Sequence, residues 1–254
     1  LGIAIGGSLA GKITKSKELS IILFFISQIF ICFLSIFIYY NLGPLMPTNI
    51  NTYELSLYAL IVMLPATIFI GSTFPLAVHI LVPNNETTGI GTALVYSWNT
   101  VGAIIGSLFA GFFLIPEFGF EGAIKFSVIT NLVIALFTVL LVSSLPKKLS
   151  VLTSASILAL VFLYNPIRPE SVIMRTGFTL SYLNQPKELF YEVGKSSTVM
   201  MLAEDGYYYI RTNGLPEASI AAKGSPPIQD PEKWLTSLPV TAKPDAENMM
   251  VIGF

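Results

Sequence analysis

The sequence predicts an α-helical multi-pass membrane bundle followed by a small β-rich segment. Three observations predict it: 53% of the 254 residues are hydrophobic, only 11% are charged, and the charges are unevenly spread. Residues 1–165 hold eleven Lys, Arg, Asp and Glu side chains, whereas the 89 residues that follow hold eighteen. Because these values differ from those of an ordinary soluble domain, we expect a membrane region at 1–165 and a soluble region after it.

Short polar breaks divide the membrane region into apolar runs, and about 20 residues are needed to cross a bilayer. The predicted runs are 1–11, 19–40, 56–82, 89–115, 122–142 and a short sixth run at 151–164. The first is the tail of one span and the next four are full spans. At roughly 14 residues, the sixth is a tilted span, an interfacial helix or a connector under the bundle.

The positions of the cations predict the orientation of these spans, since Lys and Arg near span ends are retained in the cytoplasm. Two clusters lie between spans: Lys12, Lys15 and Lys17, and Lys147 with Lys148. Four crossings separate the clusters, so both face the cytoplasm, and the loops at 41–55 and 116–121 face outward. If the sixth run crosses, the soluble region lies outside; if it lies in the interface, that region stays in the cytoplasm.

Rows of small residues four apart let helices approach closely within the bilayer. The rows are Gly2, Gly6 and Ala10; Gly7 and Gly11; Gly102, Gly106 and Ala110; and Ser107 with Gly111. We interpret them as packing surfaces between helices, with a transport pathway as the alternative.

Four polar or amphipathic side chains occur within the predicted spans: Gln28, His79, Trp98 and Asn99. Asn99 is expected to bond a neighbouring helix or a ligand, and His79 to extend to the interface. Since no span carries a buried Asp, Glu or Arg, the pattern disfavours ion-coupled transport.

Charge and cysteine content disfavour several other functions. A net charge of −1 and a pI near 5.9 give no basic field, so nucleic acid is not an expected partner. The single cysteine, Cys32, excludes an intrachain disulfide. One His and one Cys far apart do not make a metal site.

The soluble region is predicted to form β hairpins. Strands are expected at 189–193, 197–203 and 207–212, with turns at Asp205-Gly206 and Asn213-Gly214. After a loop at 223–230, Asp230 and Pro231 open a short helix over 231–238. A final strand is expected at 248–252.

Several motifs, in order, resemble those of bacterial proteins that fuse a major-facilitator-like helical region to a spermidine synthase domain. In the membrane region they are Gly71-Ser72-Thr73-Phe74-Pro75-Leu76-Ala77-Val78, Tyr96-Ser97-Trp98-Asn99-Thr100-Val101-Gly102-Ala103 and Ala110-Gly111-Phe112-Phe113-Leu114-Ile115-Pro116. In the soluble region they are Tyr191-Glu192-Val193-Gly194-Lys195, Thr198-Val199, Arg211-Thr212-Asn213-Gly214-Leu215-Pro216-Glu217-Ala218, Leu238-Pro239 and Val251-Ile252-Gly253.

The resemblance implies an aminopropyltransferase, which moves an aminopropyl group from decarboxylated S-adenosylmethionine to putrescine on a Rossmann-like, methyltransferase-type α/β domain. Residues 166–247 would be the N-terminal β segment of that domain, and 248–254 the first strand of its truncated remainder. Because the chain begins inside an apolar Gly-rich helix and ends just past Gly253, we expect it to be a piece of a longer protein. We expect the piece alone to be inactive.

The resemblance also implies site residues. Gly253 would be the first glycine of the donor-binding loop, while catalytic residues would lie beyond Phe254 and are unknown. Glu192 and Asp230 could contact the amine, although acids on a hairpin are usually a solvated face. Many relatives have a His where this chain has Ser237, which weakens a substrate contact there.

Three hypotheses follow for the function. The first is a multi-pass protein of the cell (inner) membrane that anchors an aminopropyltransferase, with the lipid bilayer and a polyamine as partners and homo-oligomers allowed. The second is a transporter with a regulatory soluble part. The third is a non-catalytic polyamine-binding or sensing module. A likeness in fold does not by itself carry function.

Overall fold

The computed structural model describes residues 1–45, 52–82, 88–140, 147–163, 186–226, 231–245 and 247–248. The chain folds into two compact units, Leu1–Pro169 and Glu170–Phe254. The described part of the first unit is helical, and that of the second holds a four-stranded sheet and one helix.

The described residues of the first unit form six α-helices and one short π-helix. They are α1 (Gly2–Ile13), α2 (Lys17–Leu45), α3 (Thr52–Leu81), α4 (Thr88–Phe109), the π-helix Ala110–Leu114, α5 (Ile115–Leu140) and α6 (Lys147–Leu163). Three stretches of the described residues are long and apolar enough to cross a membrane: Lys17–Asn41, Ser56–Leu81 and Thr88–Thr138. The coarse prediction of membrane-spanning helices is therefore confirmed.

In the longest stretch, Thr88–Thr138, the secondary structure predicted for 116–121 is corrected: α4, the π-helix and α5 follow one another, and in place of an extended loop the chain has a kink at one residue. Gly119 breaks the helical geometry with φ 69° and ψ −178°. The rings of Phe109 and Phe126 lie 5.7 Å apart, whereas a straight helix would separate them by roughly 25 Å. The chain therefore folds back here, and the only non-helical residue it needs within α5 is a glycine.

Helix α1 lies against α3 in a close, parallel contact. A Cβ on Gly6 would collide with the carbonyl oxygen of Ile68, and one on Gly71 with the backbone of Ile3. Helix α2 runs antiparallel to α3, since Phe30 stacks on Phe69 at 4.6 Å and Ser27 shares a hydrogen bond with Ser72. The row of Gly2, Gly6 and Ala10 is thus a packing surface, as the sequence predicts. In the other predicted row of α1, an added Cβ on Gly11 would meet nothing within 4 Å.

The core of the helical unit lies between α2, α5 and α6. Its buried members are Cys32, Ile36, Tyr39, Tyr40, Val128, Leu132 and Val161. The Cys32 thiol, fully buried, donates to the carbonyl oxygen of Val128 at 3.6 Å. Residues 153–157 of α6 face residues 29–33 of α2, and Val161, farther along, joins the cluster that contains Ile36 and Tyr40. Helix α6 therefore runs parallel to α2.

Helix α4 differs from the other helices of the first unit in that none of its residues is buried. Its contacts with α3 include the edge-to-face pair Phe74 and Tyr96, whose ring centroids are 6.4 Å apart. A Cβ added at Gly102, Gly106 or Gly111 would have no neighbour within 4 Å. The glycines of the two rows predicted at 102–111 therefore face open space among the described residues.

The second unit is an antiparallel meander of β1 (Lys187–Val193), β2 (Thr198–Glu204), β3 (Tyr207–Thr212) and β4 (Leu215–Ala221), paired in that order. The first three strands and both turns match the prediction. Strand β4 was not predicted, since Pro216 argues against a strand. The proline fits because β4 is an edge strand and pairs beside an irregularity between Ile210 and Arg211.

The two hairpin turns have the backbone geometry that their sequences favour. Asp205 and Gly206 have φ 47° and 83°, and Asn213 and Gly214 have φ 52° and 83°. Asn and Asp tolerate this left-handed region better than other side chains, and glycine enters it freely.

The last described element is α7 (Pro231–Ala242), which begins at Pro231 as predicted and runs four residues past the expected end. Pro239 lies within it, so the proline does not end the helix here. The final strand expected at 248–252 lies largely outside the described residues.

Candidate functional site

Of the three predicted site residues, only Glu192 lies among the described residues, because Asp230 and Gly253 fall outside them. Glu192 is exposed on β1 and pairs with Val199 of β2. Opposed residues of neighbouring strands share a face, so Glu192 lies on the same face as Val199 and Thr212. The structure does not bring the three residues together in the part of the chain it describes.

The opposite face of the sheet is apolar and contains one buried cation. Met200 and Leu202 are fully buried, with Tyr191 and Tyr209 packed against them. Arg211 pairs with Met200 and is 5% exposed. Because strand residues alternate between faces, Glu192 and Arg211 lie on opposite sides of the sheet and do not form an ion pair.

Arg211 holds the turn that follows its strand. Its Nη1 donates to the carbonyl oxygen of Gly214 at 3.0 Å, and burial lowers the pKa of the guanidinium. In the same turn, the Asn213 amide oxygen accepts a hydrogen bond of 2.9 Å from the backbone N–H of Thr198. The Asn213 backbone N–H donates to the Thr198 carbonyl oxygen at 2.8 Å. These bonds give the Arg211–Gly214 segment a structural role in the sheet.

The helical unit contains a polar cluster formed by Tyr40 at the end of α2 and by Glu121 and Lys125 of α5. The Tyr40 hydroxyl donates to Glu121 Oε1 at 3.2 Å, and Lys125 Nζ lies 2.5 Å from the same oxygen. Tyr40 is buried, while the side chains of Glu121 and Lys125 are 23% and 28% exposed. The cluster joins α2 to α5 and leaves the carboxylate both neutralised and hydrogen-bonded.

Sequence reasoning missed this cluster because 116–121 was interpreted as a loop and Lys125 was given no role. A Glu and a Lys four residues apart are a recognisable helical pair. The tyrosine partner could not be found from spacing, since it comes from another helix. The acid is only partly buried and already paired, so the cluster does not supply the free intramembrane acid that ion-coupled transport needs.

A cleft of about 330 Å³ lies between α2 and α6. Its lining residues are Ile29, Phe30, Phe33, Thr153, Ser156 and Ile157. Among the described lining residues, the polar ones are Thr153 and Ser156, and none of them carries a carboxylate for a cationic amine. An apolar chain is the ligand class that such a lining fits.

The other polar side chains singled out in the spans differ in their surroundings. Gln28 is 5% exposed, and its Oε1 receives no hydrogen bond from the described residues. Asn99 and its neighbour Trp98 are exposed on α4, Trp98 to 69%. Among the described residues, no three His, Cys, Asp or Glu side chains lie close enough together to hold a metal.

Comparisons of the chain with protein-family models, with curated proteins and with solved structures give no match.

Proposed function

We propose that this chain is the membrane anchor and N-terminal β segment of a spermidine synthase-like aminopropyltransferase. The protein would be a multi-pass protein of the cell (inner) membrane, with the lipid bilayer and putrescine as its partners. Three apolar helical stretches support the anchor, and a four-stranded antiparallel sheet follows them in the chain.

The observation that carries the proposal is the placement of the synthase-like motifs in one continuous meander. Tyr191–Lys195 ends β1 and enters the first connection, while Thr198 and Val199 open β2. The segment Arg211–Ala218 covers the end of β3, the Asn213-Gly214 turn and the start of β4. These three motifs, which lie within residues 191–218, thus belong to the strands and turns of a single sheet.

The proposed chemistry is a displacement at carbon. The lone pair of a neutral putrescine amine forms a C–N bond to the aminopropyl carbon of decarboxylated S-adenosylmethionine. The C–S bond breaks, its electron pair returns to the sulfonium sulfur, and the amine releases one proton. Gly253 would open the donor loop, and Glu192 and Asp230 would attract the cationic end of the amine.

The test is an assay of the complete gene product, purified in detergent, with labelled decarboxylated S-adenosylmethionine and putrescine. We expect spermidine and methylthioadenosine in equal amounts. Glu192→Gln should raise KM for putrescine, whereas Glu217→Gln, which changes an exposed acid on β4, should leave it unchanged. Absence of both products from folded protein would overturn the proposal.

A second function is a polyamine-binding or sensing module without transfer chemistry. It is favoured by the direction of α6, which runs parallel to α2 and so leads the chain away from the lysine-rich end of the bundle. Equilibrium binding of labelled putrescine to the same preparation, with no product formed, would support this function over the first. Failure of putrescine to bind would remove it.

A further inference from the structure

The direction of α6 determines on which side of the membrane the chain leaves the helical unit. Across the cleft, residues 153–157 face residues 29–33 of α2, and Val161 then joins the cluster of Ile36 and Tyr40. That cluster also contains Val128 and Leu132 of α5, whereas Phe25 and Ala135, at the earlier end of α2, form a separate cluster that lacks Val161. Val161 therefore lies toward the later end of α2, which indicates that α6 and α2 run in the same direction. An interfacial helix would instead cross the end of the bundle and would not insert Val161 among its buried residues.

The length of helix α2 can be compared with the thickness of the bilayer. From Lys17 to Tyr40 the helix rises by roughly 35 Å, which exceeds the hydrocarbon thickness of about 30 Å. The two residues therefore lie at opposite membrane faces. Helix α6 rises by only about 24 Å from Lys147 to Leu163, and a bilayer accommodates a span shorter than its hydrocarbon core by thinning locally.

We propose that α6 is a full crossing, and that the four-stranded sheet lies on the outer side of the membrane. Five lysines occur at the end of the bundle where α2 and α6 begin: Lys12, Lys15, Lys17, Lys147 and Lys148. On the other side, Arg168 and Arg175 follow α6, and Lys125 is paired with Glu121. The larger number of cations marks the cytoplasmic face.

The connection between the two units offers no route back. Residues 164–185 contain Arg168, Glu170 and Arg175, which leave no apolar run near the required length of about 20 residues. Because charged side chains at the bilayer centre are costly, the chain should stay on the side where α6 ends.

The consequence concerns the source of the ligand. A sheet on the outer side meets amines from outside the cell, and a charged adenosyl donor from the cytoplasm does not cross the bilayer unaided. An outward sheet therefore supports the second proposed function, binding without transfer, over the first. The inference does not rest on the proposed enzyme activity, because an assay of purified protein in detergent gives the same result whichever side the sheet occupies.

The test is labelling of single cysteines in intact cells with a membrane-impermeant maleimide. Ser196→Cys and Lys223→Cys place a thiol in two exposed connections of the sheet, and Ser16→Cys places one between α1 and α2. The unaltered chain is the blank, since its one cysteine, Cys32, is fully buried.

We expect S196C and K223C to be labelled to the same extent before and after the membrane is permeabilised, and S16C only afterwards. Labelling of all three under the same condition would show that α6 does not cross and would overturn the proposal. Labelling of S16C alone in intact cells would confirm the crossing but overturn the outward placement of the sheet. The two sheet variants guard against a substitution that prevents folding.

Discussion

Two rows of small residues, alike in sequence, have different surroundings in the helical unit. On α1, a side chain at Gly6 would collide with the backbone of α3. On α4, Gly102 and Gly106 have no neighbour within reach of an added Cβ. The comparison shows that four-residue spacing makes a close approach possible but does not specify the helix that will approach.

The two rows differ because only the α1 row faces a helix that also carries a small residue at the contact. Gly71 of α3 lies against the backbone of Ile3 of α1, so small residues on both helices allow the contact. In a bilayer such packing, and not apolar burial, holds helices together. For α4, the neighbouring Phe74–Tyr96 pair is a contact between rings, which keeps the two backbones farther apart.

The largest expected effect is that of Gly6→Leu. The new side chain would meet the Ile68 carbonyl oxygen, which belongs to helix backbone and cannot rotate away. We expect the unfolding free energy to fall by at least about 3 kcal/mol, the upper range for overpacking. The measurement is unfolding in mixed detergent and SDS. Gly106→Leu is the matched control, expected to change stability by less than about 0.5 kcal/mol, and equal losses in both would contradict the comparison.

Gly119→Ala should have the second largest effect and tests a glycine that is required for another reason. No atom lies within 4 Å of an added Cβ, but φ is 69° and ψ is −178°. This backbone conformation is almost confined to glycine, so we expect a loss of about 2 kcal/mol. Gly111→Ala, with equal space and no positive φ, is the control. The same SDS titration would detect the loss, and its absence would mean that the chain can turn without this conformation.

Alanine substitutions should reverse sign between the two rows. Gly106→Ala lowers the entropy cost of the helix without a clash and should stabilise the protein by up to about 1 kcal/mol. Gly6→Ala should destabilise it by about 1–3 kcal/mol through overpacking. Thermal melting of the two variants in one detergent would compare them. Destabilisation by both substitutions would show that α4 packs closely against a partner under those conditions. Stabilisation by both would contradict the close contact between α1 and α3.

The smallest expected effect is the coupling between Ser27 and Ser72, whose hydroxyls lie 2.9 Å apart between α2 and α3. A double-mutant cycle with alanine should give about 0.6 kcal/mol, the average for bonds between membrane helices. The control cycle uses Ser72 with Ser97, whose hydroxyl bonds the Ala93 carbonyl oxygen of its own helix. Zero coupling in the first cycle, or equal coupling in both, would contradict the assignment.

The local elements were the most predictable part of this fold. Asp205-Gly206 and Asn213-Gly214 favour left-handed turns by themselves, so the first three strands follow from neighbouring residues. Strand β4 was missed because a proline is acceptable only at a sheet edge, and position in a sheet cannot be read from one strand. The end of α7 was missed because the helix was predicted over 231–238, whereas it continues through Pro239 to Ala242.

The candidate site was less predictable because its members meet through tertiary contacts. Tyr40 reaches Glu121 across 81 positions of sequence, and only the helical pair of Glu121 and Lys125 has a local signal. Likewise, the sequence left open whether the sixth apolar run is a tilted span, an interfacial helix or a connector. The position of Val161 in the core favours one of them, and that information belongs to packing.

The burial of Cys32 also provides a way to follow motion in the bundle. The thiol lies between α2 and α5 with its hydrogen on the Val128 carbonyl oxygen, so a reagent reaches it only after these helices separate. The rate at which a small alkylating agent modifies the natural protein would therefore give the free energy of that opening, when reclosing is faster than modification. The chain carries this kinetic reporter at its centre without any substitution.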